Sequence, residues 1–203
     1  MPTTDALQKE ASSRSFGALT AAFLGQEMSM TALLGLIEST PANGNAMPLP
    51  SPDGAIPIWV GSVGYERYRD VNDFARLLAD AGVERLIDVR ELPISRRRGF
   101  AKTALGNALE DQGVEYKHLR ALGNPKEFRD LYKSGSVEVG RAGYQRFLLD
   151  NREDELRNLE TVLREKRSAL MCVEHDENVC HRQVIFEALR DHVGIELDIT
   201  HIG

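Results

Sequence analysis

From residue 57 onward, apolar residues alternate between short continuous runs and helical stripes. Continuous runs at 58–64, 83–89, 114–119 and 169–173 predict buried strands, and 195–199 predicts a closing strand. Asp70 is expected to cap the first helix, and Gly82 to end it. The further helices are predicted over 101–112, 126–133 and 141–166, with a last helix from an Asn178 cap to about His192. Because strand, helix and strand succeed one another at short spacing, right-handed parallel connections are expected.

The pattern predicts an α/β domain over residues 57–203. We expect three layers, with a mostly parallel sheet and helices on both faces, and burial of Leu86, Ile87, Val89, Leu170 and Val173. Residues 1–56 are predicted to be a flexible N-terminal extension. It is polar at its start, and its end is a linker rich in proline and glycine.

Composition narrows the class of protein. The chain has 203 residues, is 42% hydrophobic and 28% charged, and carries a formal net charge of −6. An acidic balance argues against a chain that wraps nucleic acid indiscriminately, but it permits a local basic site. Two cysteines do not form a disulfide framework, so a cytoplasmic location is expected. No apolar stretch predicts a membrane span. The sequence indicates neither a cofactor nor an oligomeric state.

One candidate site surrounds the strand at 169–173. Glu174 follows this strand, and Cys180, His181 and Arg182 open the next helix. Backbone N–H groups and the dipole at a helix start attract anions and favour a thiolate. Glu174, Cys180 and His181 are therefore candidate catalytic residues, and Arg182 is a candidate anion ligand.

A second group follows the strand at 83–89. Asp88, a further catalytic candidate, and Arg90 lie at the strand's end, where open α/β sheets bind ligands. From Arg90 to Lys102 there are five positive residues and one negative, Glu91. This local reversal of charge predicts an anion clamp, and the alternative is a solvated basic loop. The candidate ligand-binding residues are Gly64, Tyr65, Arg90, Ser95, Arg96, Arg97, Arg98, Lys102, Tyr116, His118 and Arg182.

These motifs also carry a family resemblance. They are Gly61–Tyr65, Leu86–Arg90, Pro93 with Ser95, Phe100 with Lys102, Tyr116–Gly123, and Glu174 followed by Cys180-His181-Arg182. In this order they resemble the domain of unknown function 488 family over roughly residues 57 to 200. The resemblance implies a shared pocket of polar residues and brings no settled activity.

Three kinds of chemistry are compatible with these residues. A zinc site would need Cys172, His175, Cys180 and His181 to converge. Cys172 lies in a strand, and neighbours on a helix point about 100° apart, so we predict no metal site. A phosphatase loop is excluded because the sixth residue after Cys172 is Asn178, and after Cys180 it is Phe186. Cys180 can still act as a thiolate nucleophile. The alternative is that it is a small residue that packs at the helix start.

The third chemistry is acid–base work on an anionic ligand. Arg90 and Arg182 would hold the anion while Asp88 or Glu174 handles a proton, and the alternative is a structural ion-pair network. The sequence thus predicts an enzyme acting on a nucleotide, nucleic acid or other phosphorylated ligand. The rival is a non-catalytic module that binds nucleic acid or nucleotide through Arg96–Arg98.

Overall fold

A computed structural model describes residues 56–203 of the chain. Within this range the strands are β1 (Ile58–Gly64), β2 (Arg85–Asp88), β3 (Glu115–His118), β4 (Ser168–Cys172) and β5 (Leu197–His201). The helices are α1 (Val71–Asp80), α2 (Lys102–Glu110), α3 (Lys126–Lys133), α4 (Val137–Asn151), α5 (Glu153–Glu165) and α6 (His181–Ala188), the last continued by a π turn at Leu189–Val193. The extension predicted over 1–56 lies outside the described residues, except for Ile56.

The strands form one sheet in the order β3-β2-β4-β1-β5, and every pairing is parallel. The register places Asp88 of β2 beside Met171 of β4, and Gly64 of β1 beside Cys172. The predicted parallel sheet is confirmed, although strand ends differ from the predicted ones by a residue or two.

Two apolar layers enclose the sheet. On one face, Leu86 and Met171 pack with α1 and α2, and on the other Ile87 and Leu170 pack with α4, α5 and α6. Adjacent strand residues enter opposite layers because side chains alternate across a strand. The predicted three-layer α/β architecture is therefore confirmed.

The first helix begins and ends as its sequence predicts. The Asp70 carboxylate accepts hydrogen bonds from the N–H groups of Asn72 and Asp73, at 2.6 and 3.4 Å. Gly82, just past the helix end, has φ +72°, a conformation that glycine adopts without strain. Here the capping rules determine both boundaries.

The prediction of a single long helix over 141–166 is wrong, because the helix is interrupted at Arg152. This residue has φ −139° and ψ 22°, and it separates α4 from α5. Glu153, Asp154 and Glu155 occupy the first turn of α5, where acidic side chains oppose the positive end of the helix dipole. That acidic run is therefore a helix start signal in the sequence.

Two further predictions near the candidate site are corrected. Asn178 is not a helix cap, because it lies in a short 3-10 turn at Glu177–Val179 and Cys180 caps α6 instead. Val173 is 36% exposed, whereas Leu86, Ile87, Val89 and Leu170 are buried as predicted. Val173 lies just beyond the end of β4, where neither helix layer covers it.

No helix within 56–203 combines the length and the apolar character that crossing a membrane requires.

Candidate functional site

A partly enclosed cavity of about 250 Å³ lies where β2 and β4 end. Its wall consists of the segment after β2, the end of β4, the start of α6 and one side of α3. The lining residues are Arg90, Glu91, Leu92, Ile94, Asn124, Arg129, Tyr132, Lys133, Cys172, Val173, Glu174, Val179, Cys180 and His181.

The sheet topology explains why a cavity opens at this point. The chain leaves β2 towards α2 on one face, and it leaves the adjacent β4 towards α6 on the other face. Connections that diverge from neighbouring parallel strands leave a crevice beyond their carboxyl ends, where open α/β sheets bind ligands. The position follows from the strand order, which places β4 beside β2.

Four reactive side chains meet on the cavity wall. The side-chain donor atoms of Cys172, Glu174, Cys180 and His181 all lie within 4.8 Å of one another. Cys172 Sγ is 3.0 Å from Glu174 Oε2 and 3.5 Å from His181 Nδ1. Cys180 Sγ is 3.8 Å from the same Nδ1 atom. Two thiols, an imidazole and a carboxylate are thus available for metal binding, nucleophilic attack or proton transfer.

Backbone conformation brings these side chains together. Cys180 has φ −124° and ψ 146°, so it is extended rather than helical, and the 100° separation assumed for two helical neighbours does not apply. Cys172 alternates with Met171 and therefore faces the α6 side of the sheet. The sequence argument that these side chains diverge is wrong. His175, the other proposed ligand, lines a different depression with Ser62 and His201.

Burial and the hydrogen bond between Cys172 and Cys180 shift the pKa values of the two thiols in opposite directions. Burial opposes ionisation of Cys180, but a hydrogen bond from Cys172 and the nearby positive charge of His181 hold its pKa well below the usual value. The hydrogen bond to Cys180, together with burial, raises the pKa of Cys172 well above its usual value. Burial also raises the pKa of Glu174. The directions are opposite because the hydrogen bond between the thiols favours the ionised form of Cys180 and the protonated form of Cys172.

Gly64 and Arg182 hold the loop that presents Glu174. A Cβ atom on Gly64 would lie 1.9 Å from the Glu174 carbonyl oxygen, so only glycine allows the loop to pass. The fully buried Arg182 donates from Nη2 to the same oxygen at 2.7 Å. Both residues act on the loop backbone, and Arg182 does not line the cavity.

Asp88 and Arg90 form a separate buried network. Arg90 Nη2 and Nε donate to the two Asp88 carboxylate oxygens at 2.6 and 2.8 Å, and Tyr116 Oη donates to the same carboxylate at 2.6 Å. Arg90 Nη1 also donates to Tyr65 Oη and to the Phe100 carbonyl oxygen. These partners belong to the α1 and α2 layer, whereas His181 packs edge-on against Tyr144 of α4. The predicted residues therefore form a buried Asp88–Arg90 network and a reactive cluster, and Arg90 adjoins both because it also lines the cavity.

Arg90 lines the cavity, but the other predicted ligand-binding residues lie away from its wall. Arg96, Arg98 and Lys102 are exposed and do not line the cavity, and Arg97 donates to the Tyr68 carbonyl oxygen. Ser95 accepts from Tyr65 Oη at 3.3 Å, and the ring of His118 contacts the Arg90 carbonyl oxygen through Nε2 at 2.8 Å. These contacts order the loop after β2.

Sequence reasoning missed the cavity's cationic side and its apolar rim. Arg129 and Lys133 come from α3, and Arg129 Nη1 pairs with Glu91 at 2.9 Å. The rim consists of Leu92, Ile94, Val173 and Val179, which are four of the six exposed large hydrophobic residues within 56–203. Leu92 and Ile94 were detectable, because two apolar residues interrupt a polar loop.

Fold and site define a parallel α/β protein with a reactive cavity at the switch point of its sheet. The family model for the domain of unknown function DUF488 matches residues 70–189, and the chain belongs to that family. No match was found among curated proteins or among solved structures. The family describes no activity, so function must be argued from the cavity.

Proposed function

We propose that the chain is an enzyme that binds a small phosphorylated ligand of nucleotide type in the cavity between β2 and β4. The chemistry would take place at Cys172, Glu174, Cys180 and His181. The carrying observation is that this reactive cluster lies in one cavity with cationic side chains and exposed apolar side chains.

The wall has two chemically different parts. Arg129 and Lys133 can pair with phosphate oxygens, and Lys133 is exposed. Leu92, Ile94 and Val179 offer an apolar surface suited to the flat face of a base. An inorganic anion would leave that surface exposed, so we favour a ligand with an anionic end and an apolar body.

A ligand panel tests the proposal on the full chain. Nucleoside mono-, di- and triphosphates and inorganic pyrophosphate are screened by thermal shift, and hits are measured by calorimetry. We expect at least one nucleotide to bind more tightly than pyrophosphate, and Lys133→Gln to weaken that binding about 10-fold, the scale of a hydrogen bond to a charged group. Lys126→Gln is the matched control, since Lys126 lies on the same helix but does not line the cavity. If no nucleotide binds, or the two variants behave alike, the proposal is wrong.

Nucleic-acid binding by Arg96–Arg98 keeps one supporting observation, which is that Arg96 and Arg98 are exposed. Such binding would be steeply salt-dependent and would be weakened by Arg96→Gln with Arg98→Gln. It would not change with Lys133→Gln, because Arg96, Arg97 and Arg98 do not line the cavity. We favour the cavity. We also propose a cytoplasmic location, because two free thiols within 4.8 Å of each other suit a reducing compartment.

A further inference from the structure

We propose that Cys172, Cys180, His181 and Glu174 bind one divalent transition-metal ion of the zinc type. Two thiolates, an imidazole nitrogen and a carboxylate oxygen are ligands that zinc prefers, and four is its usual coordination number in proteins. The proposal that a metal binds depends only on these four side chains, whereas a catalytic role for the metal rests on the function proposed above.

The distances fit a tetrahedral site with small adjustments. With zinc–sulfur and zinc–nitrogen bonds of about 2.3 and 2.0–2.1 Å, neighbouring ligand atoms lie about 3.5–3.8 Å apart. Cys172 Sγ and Cys180 Sγ lie 3.5 and 3.8 Å from His181 Nδ1. The 3.0 Å contact from Cys172 Sγ to Glu174 Oε2 is shorter and has to lengthen by about half an ångström, whereas the most widely separated of the four atoms, up to 4.8 Å apart, have to approach by about 1 Å.

The tautomer of His181 is an independent indication. Its Nε2 atom lies 2.8 Å from the Val89 carbonyl oxygen, which can only accept, so Nε2 carries the hydrogen. Once a metal ion replaces any proton on Nδ1, the lone pair of this atom faces the two sulfur atoms. Histidine ligands of metals are usually oriented by such an outer hydrogen bond from the other ring nitrogen.

Charge balance gives a second indication. Two thiolates and a carboxylate around a divalent ion leave one negative charge. Arg182 is fully buried beside the cluster, and its Nε and Nη1 atoms have no hydrogen-bond partner among residues 56–203. A buried guanidinium needs a compensating anion, and the loaded cluster would supply it.

The site would open to the cavity through Glu174. Cys172, Cys180 and His181 are buried, whereas Glu174 is partly exposed, and all four line the cavity. A catalytic zinc site keeps one position that a ligand or water can take. Glu174 is the ligand that a phosphate oxygen would displace, and the metal would then act as a Lewis acid on that oxygen.

The test uses the full chain, purified under reducing conditions without chelator. Bound metal is counted by mass spectrometry, and Co²⁺ is then titrated into the stripped protein. We expect one ion per chain, together with thiolate-to-cobalt charge-transfer bands and the intense visible bands of tetrahedral cobalt. Cys172→Ser should weaken Co²⁺ binding by more than the roughly 10- to 100-fold typical of an outer-shell change. His175→Gln, next to Glu174 but outside the cluster, should bind as the unmodified chain does.

Circular dichroism verifies that Cys172→Ser is folded. If it is not, the cobalt spectrum of the unmodified chain decides, because charge-transfer bands require thiolate ligands. An octahedral spectrum, a substoichiometric metal content after loading, or a Cys172–Cys180 disulfide formed in place of metal binding would overturn the proposal. Nucleotide binding is measured separately on the stripped and loaded chain, so that failure of the metal site and failure of the proposed function are distinguishable.

Discussion

The imidazole of His181 donates its Nε2 hydrogen to the Val89 carbonyl oxygen over 2.8 Å, and its Nδ1 atom faces Cys172 Sγ at 3.5 Å. The end of β2 thereby orients a side chain of α6 towards the end of β4. The Asp88–Arg90 ion pair lies at the end of β2 as well, but it packs with the other helix layer. A buried structural network and a reactive cluster thus lie beside each other at one sheet edge.

Thiol accessibility should depend on metal. In the stripped, reduced chain we expect iodoacetamide to modify both Cys172 and Cys180, since both line the cavity. In the Zn²⁺-loaded chain both should be protected, because coordinated sulfur atoms are not free to attack. Intact-mass spectrometry follows the two rates. Equal rates with and without Zn²⁺ would argue against coordination by these cysteines.

The apolar rim should matter for nucleotides and not for inorganic anions. Ile94→Ser should weaken binding of the best nucleotide about 3- to 10-fold, because the change removes apolar surface worth roughly 1 kcal/mol. Pyrophosphate binding should not change. Val139→Ser is the control, since Val139 is also exposed, at 61%, but lies outside the cavity wall. Calorimetry on both variants measures the effect, and an equal loss for both would contradict it.

Gly64→Ala should destabilise the fold and displace the Glu174 loop. The new Cβ would lie 1.9 Å from the Glu174 carbonyl oxygen, and overpacking of this kind costs about 1–3 kcal/mol or more. Gly106→Ala makes the same change within α2, where the nearest atoms are 4.0 Å away, and should stabilise by about 0.5–1 kcal/mol. Urea denaturation gives the free energy of unfolding of both variants, and the changes relative to the unmodified chain should have opposite signs. A neutral Gly64→Ala would mean that the loop can move aside.

Asp88→Asn should lower the free energy of unfolding by about 3–5 kcal/mol, because it leaves the buried Arg90 guanidinium without its carboxylate. Asp73→Asn breaks an ion pair with Arg76 whose side chains are 60–70% exposed, and it should cost less than about 1 kcal/mol. Chemical denaturation compares the two. Similar small effects would indicate that Asp88 does not serve the fold and would return it to the catalytic candidates.

The periodicity of apolar residues was sufficient to predict the three layers of this fold. The runs around Leu86 and Leu170 predicted buried strands, and Asp70 with Gly82 predicted the ends of α1. These signals are local, because each depends on a few consecutive residues and on the side-chain period of a strand or helix. The break between α4 and α5 was also encoded locally, in the acidic run at Glu153, but a helix start and a solvated face share that composition.

The site required the tertiary structure. Cys172 and Cys180 are eight positions apart, and helical spacing assigned Cys180 a direction that its extended backbone does not have. That conformation depends on how the Glu177–Val179 turn leads into α6, and the orientation of His181 depends on the carbonyl of Val89, just past β2. β2 lies beside β4 because of the strand order of the sheet, which the apolar pattern does not specify. The sequence by itself determined which residues carry reactive groups, which strands are buried and where α1 begins and ends. The tertiary structure decided which of those groups meet, because contacts between strands distant in the chain depend on sheet order and not on periodicity.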